Sequence, residues 1–592
     1  MCGIVALVAP NGADRARAMM ESLRHRGPDA EGIQVFGRCT LAMTRLAILD
    51  PTSRANQPMG RGSKRLVYNG ELYNFRELRS EMESQGVRFE TTGDTEVVLC
   101  ALERWGVAAL PRFRGMFALA CWDVETEELW LARDRFGIKP LYWRPQSGGI
   151  AVASECRALL GDAPLEVSPS AVAEYLQLGS SITAAITRGV FELEPGTVMV
   201  WRGARITTAR FAGLPDAVDT PEPAGAVAAF AEAVTMHLAS DRPVAVFLSG
   251  GFDSTTLMSA CRGGPRMPLA LTIAHEENAE DVARAGRTAT HYGASHEVIA
   301  VSASEVVASM SKLVAAMDQP SIDGVNTYLV SAAARARGIP VALSGLGGDE
   351  VLGGYSYHHT PRARAFASRV WQGMPPLVRP VAGNVIRRRA GVAAERMTAV
   401  LSARTPQERF LAFRGLFSET EVHQLVGFIP ERSSPRWSPN PALEERRQYA
   451  ALDFDLYLRP TLLRDSDVMS MANGVEVRVP YLDNRFVAAT LGAGHAPSKD
   501  EFARALDDPY LATVAAEPKR TFAMPWRTWL PAVVSAYSDI LFGQADPWGG
   551  VIDGEKAREI LQRPMLPGGM EPLRAWALVV LALWIQEKRG AL

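Results

Sequence analysis

Val244-Ala245-Val246-Phe247-Leu248-Ser249-Gly250-Gly251-Phe252-Asp253-Ser254 decides the fold of the larger part of the chain. An apolar β-type run enters a Ser-Gly-Gly turn, and a helix opens with Asp and Ser in its first residues. Backbone N–H groups freed by the glycines and aimed by the helix N-terminus suit a pyrophosphate. The Lys of GxxxxGK[ST] is missing, so the segment is not a Walker loop. A generic strand-to-helix turn is the plainer reading, but Ser-Gly-Gly-x-Asp-Ser is far more specific than a lone GxGxxG.

Downstream, a helical pattern from Val325 to Arg337 leads into the apolar strand Val341 to Leu343. A second glycine-rich loop follows, Ser344-Gly345-Leu346-Gly347-Gly348-Asp349-Glu350, and then Gly353-Gly354-Tyr355. Short apolar strands alternating with alanine-rich helices predict a parallel α/β sheet that binds its ligand at the carboxyl ends of the strands. Upstream, FAGLPDAVDTPEPAG at 211–225 carries three prolines and no periodicity, and reads as a linker between a domain at 1–210 and another at 226–592. Before it, β-type runs such as Ile4 to Val8, Leu66 to Tyr68, Met116 to Trp122, Leu129 to Ala132 and Ile150 to Ala153 outnumber helical patterns, chiefly Phe75 to Gln85 and Thr95 to Trp105. That part reads as a layered domain dominated by sheet.

The 592 residues are 47% hydrophobic and 22% charged, ordinary for a globular protein, with a net charge of −2. Such a balance offers no electrostatic reason to bind nucleic acid or an anionic membrane, so small diffusible substrates are expected. Residues 361–396 hold eight Arg against one Glu, read here as a solvated helical face. The six cysteines form no CxxC pair and have no histidine at metal-ligand spacing, which argues against structural zinc and for a reducing cytoplasm. Nothing ahead of Cys2 reads as a cleavable leader. The apolar stretch Ala575 to Ile585 is too short to cross a bilayer and reads as a packed terminal helix.

Removal of Met1 would leave Cys2 with a thiol and a free α-amine that can act as its base. Taken alone, a cysteine at position two is more often an inert thiol. The motifs that follow change its weight: Arg24-His25-Arg26-Gly27-Pro28-Asp29, Leu46-Ala47-Ile48-Leu49-Asp50, Tyr68-Asn69-Gly70-Glu71-Leu72-Tyr73-Asn74 and Gly93-Asp94-Thr95-Glu96. Asn-Gly after a strand can turn a hairpin, or can offer a side-chain amide and a backbone N–H to one oxyanion.

The set resembles the glutamine-hydrolysing domain of the class II amidotransferases, N-terminal-nucleophile enzymes of four-layer αββα fold. The resemblance implies Cys2 as nucleophile and Asn69 and Gly70 as oxyanion hole. It puts Arg45 on the glutamine α-carboxylate, with Glu71 and Asp94 near its α-amino group. Arg133-Asp134, Gly137 to Tyr142 and Ala153-Ser154-Glu155 also fit. Where relatives often read Gly-His-x-Arg-Leu, this chain has Ala42-Met43-Thr44-Arg45-Leu46.

Ser249 to Ser254, Ser344 to Glu350, Arg464-Asp465-Ser466-Asp467 and Val475 to Asp483 together resemble the synthetase domain of asparagine synthetase B, an ATP pyrophosphatase. That resemblance implies ATP as substrate, in a pocket lined by Leu248, Ser249, Gly250, Gly251, Asp253, Ser254, Ile273, Ser344 and Gly345. It implies Mg²⁺ held by Asp253 and Asp349, and Lys499 at the pyrophosphoryl transition state. Glutamine, ATP and aspartate or another carboxylic acid are the expected partners, with a homodimer as the family's assembly. The expected reaction is glutamine-dependent amidation of an adenylated acid, aspartate first. The alternatives are another acid in a specialised pathway, or a glutaminase or scaffold with a silent second half. Leu346 stands where several relatives carry an acid. Either ammonia needs no base there, or another carboxylate such as Glu350 serves, or the acceptor is not aspartate.

Overall fold

A computed structural model describes the chain except at residues 1, 162–164, 184, 204, 216–222, 265, 359–361, 376, 391–393, 429–443, 493–495, 518–522, 564–569 and 591. Among the described residues the first 210 form two six-stranded antiparallel sheets. One has the order Phe191–Glu192, Tyr142–Gln146, Gly149–Ala153, Cys2–Val8, Cys39–Arg45, Ala30–Phe36. The other runs Arg205–Arg210, Thr197–Arg202, Glu128–Arg133, Gly115–Asp123, Lys64–Leu72, Met59–Arg61.

Period-two alternation explains the layering. On Cys2–Val8, the side chains of Cys2, Ile4, Ala6 and Val8 pack against Val67, Ala118, Ala120 and Trp122 of the facing sheet. Val5 and Leu7 point the other way, onto Ala16, Met19 and Met20 of the helix Ala13–Glu21. On the second sheet Leu66, Tyr68, Phe117 and Leu119 face the helices Phe75–Ser84 and Thr95–Trp105. The result is helix, sheet, sheet, helix, the αββα order.

Strand Arg205–Arg210 ends the second sheet, and the helix Pro223–His237 follows. Residues 216–222 of the expected linker lie outside the described residues. A five-stranded parallel sheet comes next, in the order His296–Ala300, Leu269–Ala274, Val244–Phe247, Val341–Leu343, Glu476–Arg478. The chain winds outward from Val244–Phe247 to one side and resumes on the other at Val341–Leu343. The topological switch therefore lies between those two strands, and both glycine-rich loops leave from their carboxyl ends. The terminal helix Glu571–Lys588 buries every residue from Ala575 to Ile585 in the core beneath this sheet. Helices Arg362–Gly373, Arg379–Ala390 and Ala394–Ser402 carry the arginine-rich segment. No helix of the described residues is long and apolar enough to cross a membrane.

Candidate active sites

The first site forms where Cys39–Arg45 pairs with Cys2–Val8, the register setting Cys2 opposite Arg45. The Cys2 N–H donates to Asn69 Oδ1 at 3.0 Å, across the gap between the sheets. Asn69 is fully buried, and its Nδ2 has no hydrogen-bond partner among the described residues. A buried amide donor with nothing to bind costs about 1–3 kcal/mol, so its survival points to a ligand atom that it meets.

Asn69-Gly70 turns no hairpin. Both residues lie inside the nine-residue strand Lys64–Leu72, paired with Ala118 and Phe117. The tertiary reason is close approach: a Cβ on Gly70 would stand 2.3 Å from the Met116 carbonyl oxygen. Burial pushes the Cys2 thiol above its usual range, while the Arg45 charge and the Leu46 N–H pull it back.

Arg45 is buried and braced by carbonyls, donating Nη1 to Thr52 O at 2.9 Å and to Asn56 Oδ1 at 2.7 Å, and Nη2 to Asp50 O at 2.5 Å. Asp94 immediately precedes the helix Thr95–Trp105, and its carboxylate accepts from the Leu72 N–H at 2.9 Å and the Tyr68 hydroxyl at 3.1 Å. Burial raises its carboxyl, and those two donors lower it. The Glu71 carboxylate is turned toward the parallel sheet, where Arg478 Nη2 meets it at 3.0 Å. Met43 packs between the two sheets.

The second site is a cavity of about 720 Å³ at the topological switch. Leu248, Ser249, Gly251, Asp253, Ser254, Ile273, Ser344 and Gly345 line it, together with Asp349 and Lys499. Gly250 is the one residue of the expected ATP set that is off this wall. It turns the loop at φ +74°, with the backbone of Asp281 and Ala285 too near to admit a side chain. Ser249 and Ser254 brace the turn, their hydroxyls 3.1 Å apart.

Lys499 opens the helix Lys499–Ala505, capped by Ser498 and Glu501. Its ammonium lies 2.7 Å from Asp253 Oδ2 and 2.5 Å from Asp349 Oδ1. Burial alone would lower this ammonium, but the two carboxylates reverse that and hold it above the usual lysine range. Two hard oxygen donors converging on one cation are the donor set that Mg²⁺ takes beside phosphate oxygens. Residues Pro518 to Phe522, expected after Lys499, lie outside the described residues.

Leu346 also lines the cavity and packs against an apolar cluster shared by both halves of the chain. Beside it Glu350 accepts from the Tyr355 hydroxyl at 2.6 Å, its carboxyl pushed up to about 7 by burial and by the charges of Asp349 and Asp453. Asp465, on the same wall, is likewise pushed up to about 7 by burial. Arg478 lies within the Val475 to Asp483 motif, but its partner Glu71 is 407 residues away, so no local pattern marks what it does.

The architecture is that of an N-terminal-nucleophile glutamine amidotransferase domain joined to a parallel α/β sheet. Residues 1–212 match the family model described as a glutamine amidotransferase domain, and residues 226–586 match that described as asparagine synthase. The chain belongs to the asparagine synthase family, whose members are ATP-dependent carbon–nitrogen ligases. It is 32% identical to a protein of Mycobacterium tuberculosis named putative asparagine synthetase [glutamine-hydrolyzing], over 99% of this chain and 97% of that one. Asparagine synthetase [glutamine-hydrolyzing] 1 of Bacillus subtilis is 28% identical over 82% of this chain and 79% of its own. A protein of Gibberella zeae named Amidase chry2 is 28% identical over 60% of this chain and 59% of its own.

Proposed function

We propose that this chain hydrolyses glutamine at Cys2 and uses the ammonia to amidate an acid adenylated in the cavity, with L-aspartate the leading acceptor and L-asparagine the product. The observation that carries the reading is one continuous apolar cluster. It includes Leu46, whose N–H bonds the Cys2 thiol, and Leu248 on the cavity wall, with Leu346 packed against it. Ammonia released into water would be mostly protonated at neutral pH. An apolar path between two reaction centres keeps it a nucleophile.

On this reading the Cys2 thiolate adds to the glutamine amide carbon, and the Asn69 Nδ2 and a backbone N–H beside it meet the oxyanion. Ammonia leaves, and water then cleaves the thioester to glutamate. Arg45 and Asp94 suit the two charged ends of the amino acid. In the cavity the acceptor carboxylate attacks the α-phosphorus of ATP and pyrophosphate departs. Ammonia then adds to the acyl carbon and AMP leaves. Asp253 and Asp349 would hold Mg²⁺, which neutralises phosphate charge when bound. Lys499, which lies between those carboxylates, would meet the departing pyrophosphate. Glu350, poised near neutrality, is the carboxylate able to accept a proton from the attacking amine.

Leu346 favours a second reading, the same chemistry on another carboxylic acid, in keeping with a relative named as an amidase. Purified protein with glutamine, ATP and Mg²⁺ should release pyrophosphate only when an acid is added. Aspartate comes first in the screen. Turnover of another acid with none of aspartate selects the second reading, and no acid-dependent pyrophosphate at all removes the ligase reading.

A further inference from the structure

On the two-site reading above, we infer that Arg478 is a positioning residue tying the oxyanion strand to the nucleotide loop, so that glutamine hydrolysis responds to filling of the cavity. Its guanidinium is fully buried, and each of its three nitrogens is bonded. Nη2 meets Glu71 at 3.0 Å, Nη1 donates to the carbonyls of His237 at 2.7 Å and Ala239 at 2.6 Å, and Nε donates to Glu476 at 2.5 Å. Glu71 is two residues beyond Asn69 on one strand, so both side chains leave the same face. The carboxylate that Arg478 grips is therefore the near neighbour of the amide that awaits the oxyanion.

The main chain of Arg478 faces the other site. Its carbonyl accepts from the Ser344 N–H at 2.9 Å, at the head of the glycine-rich loop that lines the cavity. A planar fork with each edge engaged cannot shift without moving its partners. Displacement of the Ser344 loop by a nucleotide thus reaches Glu71, and with it the pose of Asn69, through a single side chain. Arg478 touches no reacting atom; its effect is on geometry that matters in the transition state, which lowers kcat rather than raising KM.

The test is Arg478→Lys, which keeps the charge opposite Glu71 and Glu476 but loses the fork. Glutamate release is measured with and without MgATP on the full chain, alongside the MgATP Kd by calorimetry and the melting temperature. The wild type should change its rate of hydrolysis when MgATP is added. The variant should lose about tenfold in kcat with glutamine KM within about twofold, lose the response to MgATP, and bind MgATP as before. A variant with wild-type kcat and response overturns the inference, as does a wild type indifferent to MgATP. A parallel loss of MgATP affinity or of folding in Arg478→Lys reduces Arg478 to scaffolding and also overturns it. Absence of any glutamine hydrolysis by the wild type would instead overturn the two-site reading itself.

Discussion

Replacing Asn69 by alanine separates catalysis from stability, because this side chain has one used atom and one unused. Its Oδ1 accepts the Cys2 N–H at 3.0 Å, while its Nδ2 is buried without a partner among the described residues. The unused donor is the one that would meet the oxyanion. Loss of one such donor costs about 2.7–4 kcal/mol in the transition state, so glutamine hydrolysis by Asn69→Ala should fall about 100- to 1,000-fold in kcat. Stability follows a different account. The substitution removes one buried orphan, Nδ2, and creates another, the Cys2 N–H, each worth about 1–3 kcal/mol. The two changes nearly cancel, so the melting temperature should move little. Asn69→Asp keeps an acceptor for Cys2 but sets negative charge where the oxyanion forms, and should lose at least as much rate. Glutamate release read by a coupled dehydrogenase, with MgATP binding as a check on the second site, measures all of this. An Asn69→Ala enzyme within about threefold of wild-type kcat, a barrier change of only about 0.65 kcal/mol, would refute the reasoning.

Cys2→Ala should abolish synthesis driven by glutamine while leaving synthesis driven by ammonium salts, and equal loss of both would break the division of labour. Glu350 gives a pH signature. Its carboxyl rises from 4.5 to about 7 in the fold, so its contribution to stability is complete below pH 4.5 and lost as pH climbs through 7. That loss amounts to about 3 kcal/mol, and Glu350→Gln should remove it from a melting series run against pH. The ammonium-driven rate, expressed per free ammonia, should rise through pH 7 in the wild type and be flat in the variant. Lys499→Met removes the ammonium that stands between Asp253 and Asp349. Pyrophosphate release should fall at least about 100-fold, and added Mg²⁺ should raise the melting temperature by about 2 °C more than it does in the wild type. A Mg²⁺ response equal to that of the wild type would separate these carboxylates from the metal.

Locally strong signals were legible in the sequence. The helix Thr95–Trp105 and the strand Val341–Leu343 fall where their patterns predict, because periodicity and flanking turn residues agree at both. The Asn69-Gly70 dipeptide fits a hairpin turn as well as an oxyanion hole; the neighbouring strand pressed against Gly70 excludes the hairpin. Leu346 is visible in the sequence as a departure, but the apolar cluster it packs against is assembled from both halves of the chain and leaves no local trace. Pairs such as Glu71 with Arg478 or Lys499 with Asp253, 407 and 246 residues apart, leave no local trace at all.

The boundary between the two sheet systems raises the question of why so much charge is buried there. Arg26 has no exposed surface, yet bonds Glu155 and Asp467 at 2.7 Å each, and Lys139 reaches the same Asp467 at 3.1 Å. Arg114 grips Asp483 through two nitrogens at 2.6 and 2.9 Å. Desolvating such pairs consumes most of their attraction, and apolar side chains of equal volume would hold the halves together as well. What ion pairs add is direction. Leucines tolerate a slide of an ångström, whereas a guanidinium in a carboxylate fork does not. Arg26 also donates Nε to the Cys2 carbonyl at 3.3 Å, so the register it enforces is that of the Cys2–Val8 strand against the helix Arg464–Met471. On the proposed reading, ammonia handed from Leu46 to Leu346 requires the two walls to stay in line, and rigid polar registration around the apolar cluster meets that requirement where a wholly apolar interface would leave the walls free to slip.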